Sequence, residues 1–123
     1  MCAKLEGSDA QEKVKILQSR GIEVLTMANE FGKVDLPKLF SCLAQERHMN
    51  EIHVEAGFKL NGSMLREDCV DELLLYYAPF FMGEGIGMAN TSPLGSLQSR
   101  QDWKMIDQSM FGPDLRLRLI KSK

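Results

Sequence analysis

A carboxylate, a glycine bend and a polar run fall together between Glu51 and Gly62, in the order Glu-Ile-His-Val-Glu-Ala-Gly-Phe-Lys-Leu-Asn-Gly. Ile52, Val54 and Ala56 alternate with Glu51, His53 and Glu55, a period of two that predicts a short strand tipped by the Glu55 carboxylate. Gly57 then supplies a turn, and an amphipathic stretch opens near Leu60. In open α/β sheets the corner where a strand's carboxyl end meets a helix start is where ligands sit. Free N–H groups at such a start suit a phosphate, while a carboxylate such as Glu55 accepts hydrogen bonds from a polyol. The chemistry expected of this corner is the holding of a dinucleotide's phosphates beside a sugar-like substrate.

Other reactive residue types carry less. His53-Val54-Glu55 has the His-x-Glu form of zinc deaminases, but that chemistry also needs a Cys-x-x-Cys pair. Cys42 and Cys69 do not supply one and His48 is the only other histidine, so no metal site is expected. The spacing of Gly57 and Gly62 is not the Gly-x-Gly-x-x-Gly fingerprint, so it gives no evidence for a Rossmann domain. Lys59 is either a partner for a phosphate or a solvated lysine. Asp71 and Glu72 are adjacent, so on a strand they point to opposite faces and form no acid–base pair. Tyr76, Tyr77 and Leu73 to Leu75 read as core or subunit contact, and Arg116 and Arg118 as one solvated strand face. No Ser/His/Asp or Cys/His set has supporting context.

The elements that must position the corner follow from periodicity and punctuation. Residues 9 to 20 predict a short helix capped by Ser8 or Asp9 and stopped by Gly21. Ile22 to Ala28 predicts a strand, and Asn29 to Lys33 a turn. Asp35 caps a second helix with Pro37 in its first turn, where proline is tolerated. Leu36, Leu39, Phe40, Leu43 and Ala44 form its apolar stripe, and His48 to Asn50 ends it. Leu60 to Asp68 predicts a third helix, and Val70 to Phe81, apolar on both faces, a central strand covered on both sides. A loop-rich stretch follows from Gly83 to Gly95, long enough to suggest function. Trp103 to Met110 and Leu115 to Ile120 then predict an antiparallel hairpin turning through Gly112-Pro113-Asp114. The expected fold is α/β, a three-layer arrangement with a mixed, mostly parallel sheet flanked by helices and ending in that hairpin.

Composition bounds the function classes. The 123 residues suffice for one small domain, and 15 basic against 17 acidic residues leave a net charge of −2, which gives no basic surplus for nucleic acid or anionic lipid. The longest apolar run, Leu73 to Met82, is too short to span a bilayer, and the first residues lack the apolar segment of a secretion signal. Cys2, Cys42 and Cys69 are odd in number and far apart, which predicts free thiols in a reducing cytoplasm. The eight methionines read as flexible core filler.

Several short motifs in register between Asn50 and Leu119 give the chain a family likeness. They are Val54-Glu55-Ala56-Gly57 with Leu60-Asn61-Gly62, then Leu65 and Val70-Asp71-Glu72-Leu73. Tyr77-Ala78-Pro79 follows, with Gly83 four residues on, and then Gly112-Pro113-Asp114-Leu115. Together they resemble the reductase domain of the bifunctional riboflavin-biosynthesis deaminase–reductase, whose fold is related to dihydrofolate reductase. The resemblance covers the second half of that domain. It implies that residues 1–123 are a single, incomplete unit, a C-terminal piece without the deaminase domain and without the strands that supply most contacts to the substrate's ribose phosphate. The implied activity is NADPH-dependent reduction of 5-amino-6-(5-phosphoribosylamino)uracil to its ribitylamino counterpart, with hydride delivered to C1′ of the opened ribose. By the same resemblance Glu55 touches the substrate, and Gly57, Phe58, Lys59, Leu60, Asn61, Gly62 and Ser63 line the cofactor. Ala56 stands where many relatives carry glycine. The family's reductase domains pair, so a homodimer is expected. The alternative is a truncated, inactive interaction module that keeps the dimer-forming sheet.

Overall fold

A computed structural model describes residues 7–91, 93, 95–96 and 100–122, which fall into two compact units, residues 1–53 and 54–123. The first unit holds two helices. α1 spans Ser8–Ser19 and buries none of its side chains. Its N-cap is Gly7, at φ 94°, and not the expected Ser8 or Asp9, because the Ser8 hydroxyl donates to Asp9 at 3.3 Å instead of receiving a backbone N–H. Gly21 ends it as expected: at φ 76° it lets its own N–H reach Gln18 O at 2.9 Å and that of Ile22 reach Leu17 O at 3.0 Å.

The expected strand from Ile22 to Ala28 does not form. Only isolated bridge residues, Thr26 and Ala28, are present; Ala28 pairs with Val34 around a turn in which Asn29 Oδ1 accepts from the N–H groups of Phe31 and Lys33, both at 3.0 Å. A β-rich composition favours extended backbone, but a strand also needs a partner's N–H and C=O groups, and among the described residues this segment forms no ladder. α2 spans Leu36–Gln45 and starts as expected, with Asp35 accepting from the Lys38 N–H at 3.0 Å and Pro37 in its first turn. Its buried side chains are Leu36, Leu39 and Cys42; Ala44 is exposed, so the stripe is rotated toward Cys42. Desolvation pushes the Cys42 thiol above its ordinary pKa, which suits packing and not nucleophilic chemistry.

The second unit carries α3, Phe58–Arg66, and three strands: β1, Glu72–Tyr77; β2, Trp103–Phe111; and β3, Asp114–Lys121. The sheet order is β1-β3-β2 and every pairing is antiparallel. This corrects the mostly parallel sheet inferred from the sequence. The segment Ile52 to Ala56 joins no ladder, and Val70 to Phe81 contributes a six-residue edge strand, not a covered central one. The centre belongs to β3. Its leucines 115, 117 and 119 stand opposite Tyr77, Leu75 and Leu73 on one side, and opposite Met110, Gln108 and Met105 on the other. The β2–β3 hairpin turns through Gly112, at φ 61°, and Pro113, the pair of residues that suits a II′ turn.

The opposite face of β3 departs from its expected solvated character. Arg118 grips both Glu72 carboxylate oxygens, at 2.8 and 2.9 Å, and Arg116 reaches Asp107 at 2.9 Å. These pairs tie the central strand to both neighbours. The Arg118 hydrogen bond holds the Glu72 carboxyl below the ordinary glutamate value, against the opposing effect of desolvation. A depressed folded-state pKa means the stabilisation is complete above the unfolded-state value and fades as pH falls through the folded one. Denaturant melts of Glu72→Gln and the unsubstituted chain are therefore expected to differ at pH 7, with the difference shrinking as pH drops below the ordinary glutamate range. A difference that stays constant down to pH 3 would contradict the assignment.

Candidate functional site

Gly57 is the N-cap of α3, with extended backbone at φ −91° and ψ 176° and no side-chain cap. The first-turn N–H groups of a helix have no partner within it, so those of Phe58, Lys59 and Leu60 face out of the helix end. α3 begins two residues before the expected start at Leu60, so Phe58 and Lys59, next to the expected turn at Gly57, already belong to its first turn. Gly57, Lys59 and Leu60 are exposed, as is Glu55 two residues upstream of the cap. A Cβ on Gly57 would meet nothing within 4 Å, so the helix end is sterically open.

Further along, the helix is covered. Asn61 and Ser63 are half-buried and Gly62 is buried. The segment 87–90 lies over them: Asn61 Nδ2 donates to Met88 O at 2.8 Å and to Ala56 O at 3.2 Å, and the Asn90 N–H donates to Phe58 O at 2.9 Å. Arg66 donates to Asn90 O, and to Ser63 Oγ at 3.0 Å. A Cβ on Gly62 would stand 2.6 Å from Asn90 N and collide with its carbonyl. A Cβ on Gly87 would sit 3.8 Å from the Phe58 ring.

The expected cofactor-lining run thus divides. Gly57, Phe58, Lys59 and Leu60 form the open end, whereas the Asn61 amide, the bare Cα of Gly62 and the Ser63 hydroxyl engage protein partners. Residues 83–91 contain no helix or strand, in line with the expected loop, and Ile86 and Met88 are exposed on it. Sequence reasoning missed Met88, Asn90 and Arg66. The signal available was Gly62 itself, since glycine inside a helix normally costs stability and so marks a packing demand. Among the described residues no three His, Cys, Asp or Glu side chains converge as a metal site, and no helix is long and apolar enough to cross a membrane. An open depression bounded by Asp71, Ile120, Lys121 and Ser122 lies at the other end of the sheet from the β2–β3 turn and gathers no comparable set of donors.

The close approach yields a sign that distinguishes the two glycines. Gly→Ala inside a helix ordinarily gains about 0.5–1 kcal/mol, while overpacking costs about 1–3 kcal/mol. At Gly62 the obstruction is backbone, which yields little, so the cost wins. Gly62→Ala is expected to lower the melting temperature, and Gly57→Ala to leave it within a degree or two, about the scale of a few tenths of a kcal/mol. Equal shifts for the two variants would contradict the close approach.

The family model for the RibD C-terminal domain matches residues 4–121. The riboflavin biosynthesis protein RibD of Bacillus amyloliquefaciens is 32% identical over 117 residues, covering 93% of this chain and 30% of that protein. The 5-amino-6-(5-phosphoribosylamino)uracil reductase of Buchnera aphidicola subsp. Acyrthosiphon pisum is 29% identical over 92 residues, covering 74% of this chain and 44% of that one. Among solved structures, Acinetobacter baumannii RibD superposes with a TM-score of 0.74 at 24% identity, covering 89% of this chain and 29% of that one. The chain therefore spans less than half the length of each of these relatives.

Proposed function

This chain belongs to the RibD C-terminal domain family, and from that premise we propose that it forms part of an NADPH-dependent reductase of 5-amino-6-(5-phosphoribosylamino)uracil, acting in the cytoplasm in riboflavin biosynthesis. The observation that carries this reading is the uncapped, uncovered start of α3 beside an exposed carboxylate. The residues present fit a phosphate-bearing cofactor: three outward N–H groups, the helix dipole, a glycine that leaves room for close approach, and the exposed Lys59 cation. When bound, NADPH supplies the hydride that reduces the ribose carbon.

The chain's own residues bind and orient. The amides of Phe58, Lys59 and Leu60 hold a cofactor phosphate without a proton changing hands. Glu55 accepts hydrogen bonds from the ribose hydroxyls and so sets which carbon faces the nicotinamide. Nothing in this division of labour requires a metal.

Titration of NADPH fluorescence is expected to saturate. Lys59→Glu should weaken binding about threefold to tenfold, because one favourable charge at a helix start becomes unfavourable. In the complete reductase, Glu55→Ala should lower kcat/KM by about 10- to 100-fold with the fold intact, the scale of a lost hydrogen bond to a charged group. An unchanged kcat/KM would remove Glu55 from the site, and the absence of saturable binding would remove the cofactor reading.

One observation favours a second reading, an interaction module. Tyr77, Met110 and Leu115 are exposed on one face of the sheet at its Gly112 end, and Tyr76 and Phe111 on the other, their rings edge-to-face at 6.0 Å. Such a patch suits a homodimer contact. Sedimentation is expected to show concentration-dependent dimers that Phe111→Lys weakens. Dimers without NADPH saturation would select this second reading over the first.

A further inference from the structure

The Asn61 side chain sits between two backbone carbonyls, those of Met88 and Ala56, at 2.8 and 3.2 Å. Both are acceptors, so only the NH2 end of the amide can face them. Ala56 directly follows Glu55, and Met88 belongs to the segment that lies over α3. One side chain therefore ties the peptide carrying the carboxylate to the loop beside the helix start. Arg66 makes a second tie from farther down the helix, gripping Asn90 O while bracing on Ser63 Oγ at 3.0 Å. Between these ties the loop rests on Gly62, and the Asn90 N–H closes onto Phe58 O at 2.9 Å.

We propose that Asn61 and Arg66 are positioning residues, which pin segment 87–90 as a fixed wall beside the α3 start so that the cofactor meets a preformed cleft. The proposal rests on the reading that this helix end takes the phosphate of NADPH. Neither residue needs to touch the cofactor. Their contribution is that binding no longer has to order the loop, which is the general route by which preorganisation raises affinity. The wall they fix exposes Met88, and Ile86 is exposed just before it, apolar side chains able to lie against a flat ring.

The test uses an isosteric change. Asn61→Asp keeps the shape and volume but turns a carboxylate toward two carbonyls, so both Asn61 hydrogen bonds are lost while the Arg66 tie stays. Hydrogen exchange at the Asn90 amide should accelerate at least tenfold. A loop in place about a tenth of the time raises the apparent Kd for NADPH about tenfold, read at a temperature well below the melting point of either protein. Arg66→Lys keeps the charge and a donor but loses the two-pronged grip. It should fall between the two on both readings, and it carries the test alone if Asn61→Asp does not fold. Unchanged Asn90 exchange overturns the proposal, and so does faster exchange with an unaltered Kd. If the unsubstituted chain shows no NADPH saturation, the functional reading fails and takes the cofactor role with it. Asn90 exchange still reports separately whether the ties exist.

Discussion

The candidate site depends on the contact between the bare Cα of Gly62 and the backbone of Asn90. A side chain at this position would hold the loop off the helix. The Asn90 N–H would then lose Phe58 O, Arg66 would lose its carbonyl, and the Asn61 amide would be left with one partner. Each of these bonds is modest alone, about 0.5–1.5 kcal/mol net for the neutral pairs and about 1.5–3 kcal/mol for the charged Arg66 donor. Their joint effect comes from geometry, because all of them need the same close approach. Glycine in a helix interior weakens the helix. Here that cost is offset by a loop docked across two turns.

The same helix shows opposite behaviour at its two glycines. Gly57 stands in open space and Gly62 in none. The first leaves a helix end accessible, with its dipole and amides directed at whatever approaches. The second turns the neighbouring surface into a wall. In the sheet of this unit, β3 is held from both sides by alternating leucines on one face and by Arg116 and Arg118 on the other. Arginine suits these pairings because its planar fork meets a carboxylate with two parallel bonds, as it does at Glu72.

How much of this was legible in the sequence depended on range. Local signals read well. Asp35 with Pro37 marked the start of α2, Gly21 the end of α1, and Gly112-Pro113 the tight hairpin turn. The corner at Glu55 and Gly57 was legible as a place where a helix begins, although the helix was set two residues late. Pairing was legible only in the terminal hairpin, where one short turn joins the two strands. The β-rich composition of Ile22 to Ala28 and the alternation in Ile52 to Ala56 name no partner, and neither segment becomes a ladder among the described residues. The uniform apolarity of Val70 to Phe81 suggested a strand buried on both faces, yet β1 is an edge, with Tyr76 and Tyr77 exposed. Arg116 and Arg118 looked solvated because their acidic partners lie 9 and 46 residues away. The loop ties to Asn61 and Arg66 likewise span 27 and 24 residues.

The central claim is that the open start of α3 receives the phosphate of a nicotinamide cofactor. Backbone amide chemical shifts of the isotope-labelled chain, followed as NADPH is added, test it most directly. The amides of Phe58, Lys59 and Leu60 are expected to move first and furthest, and to saturate together. Shifts confined to the Gly112 end of the sheet, or no shifts at all, would contradict it.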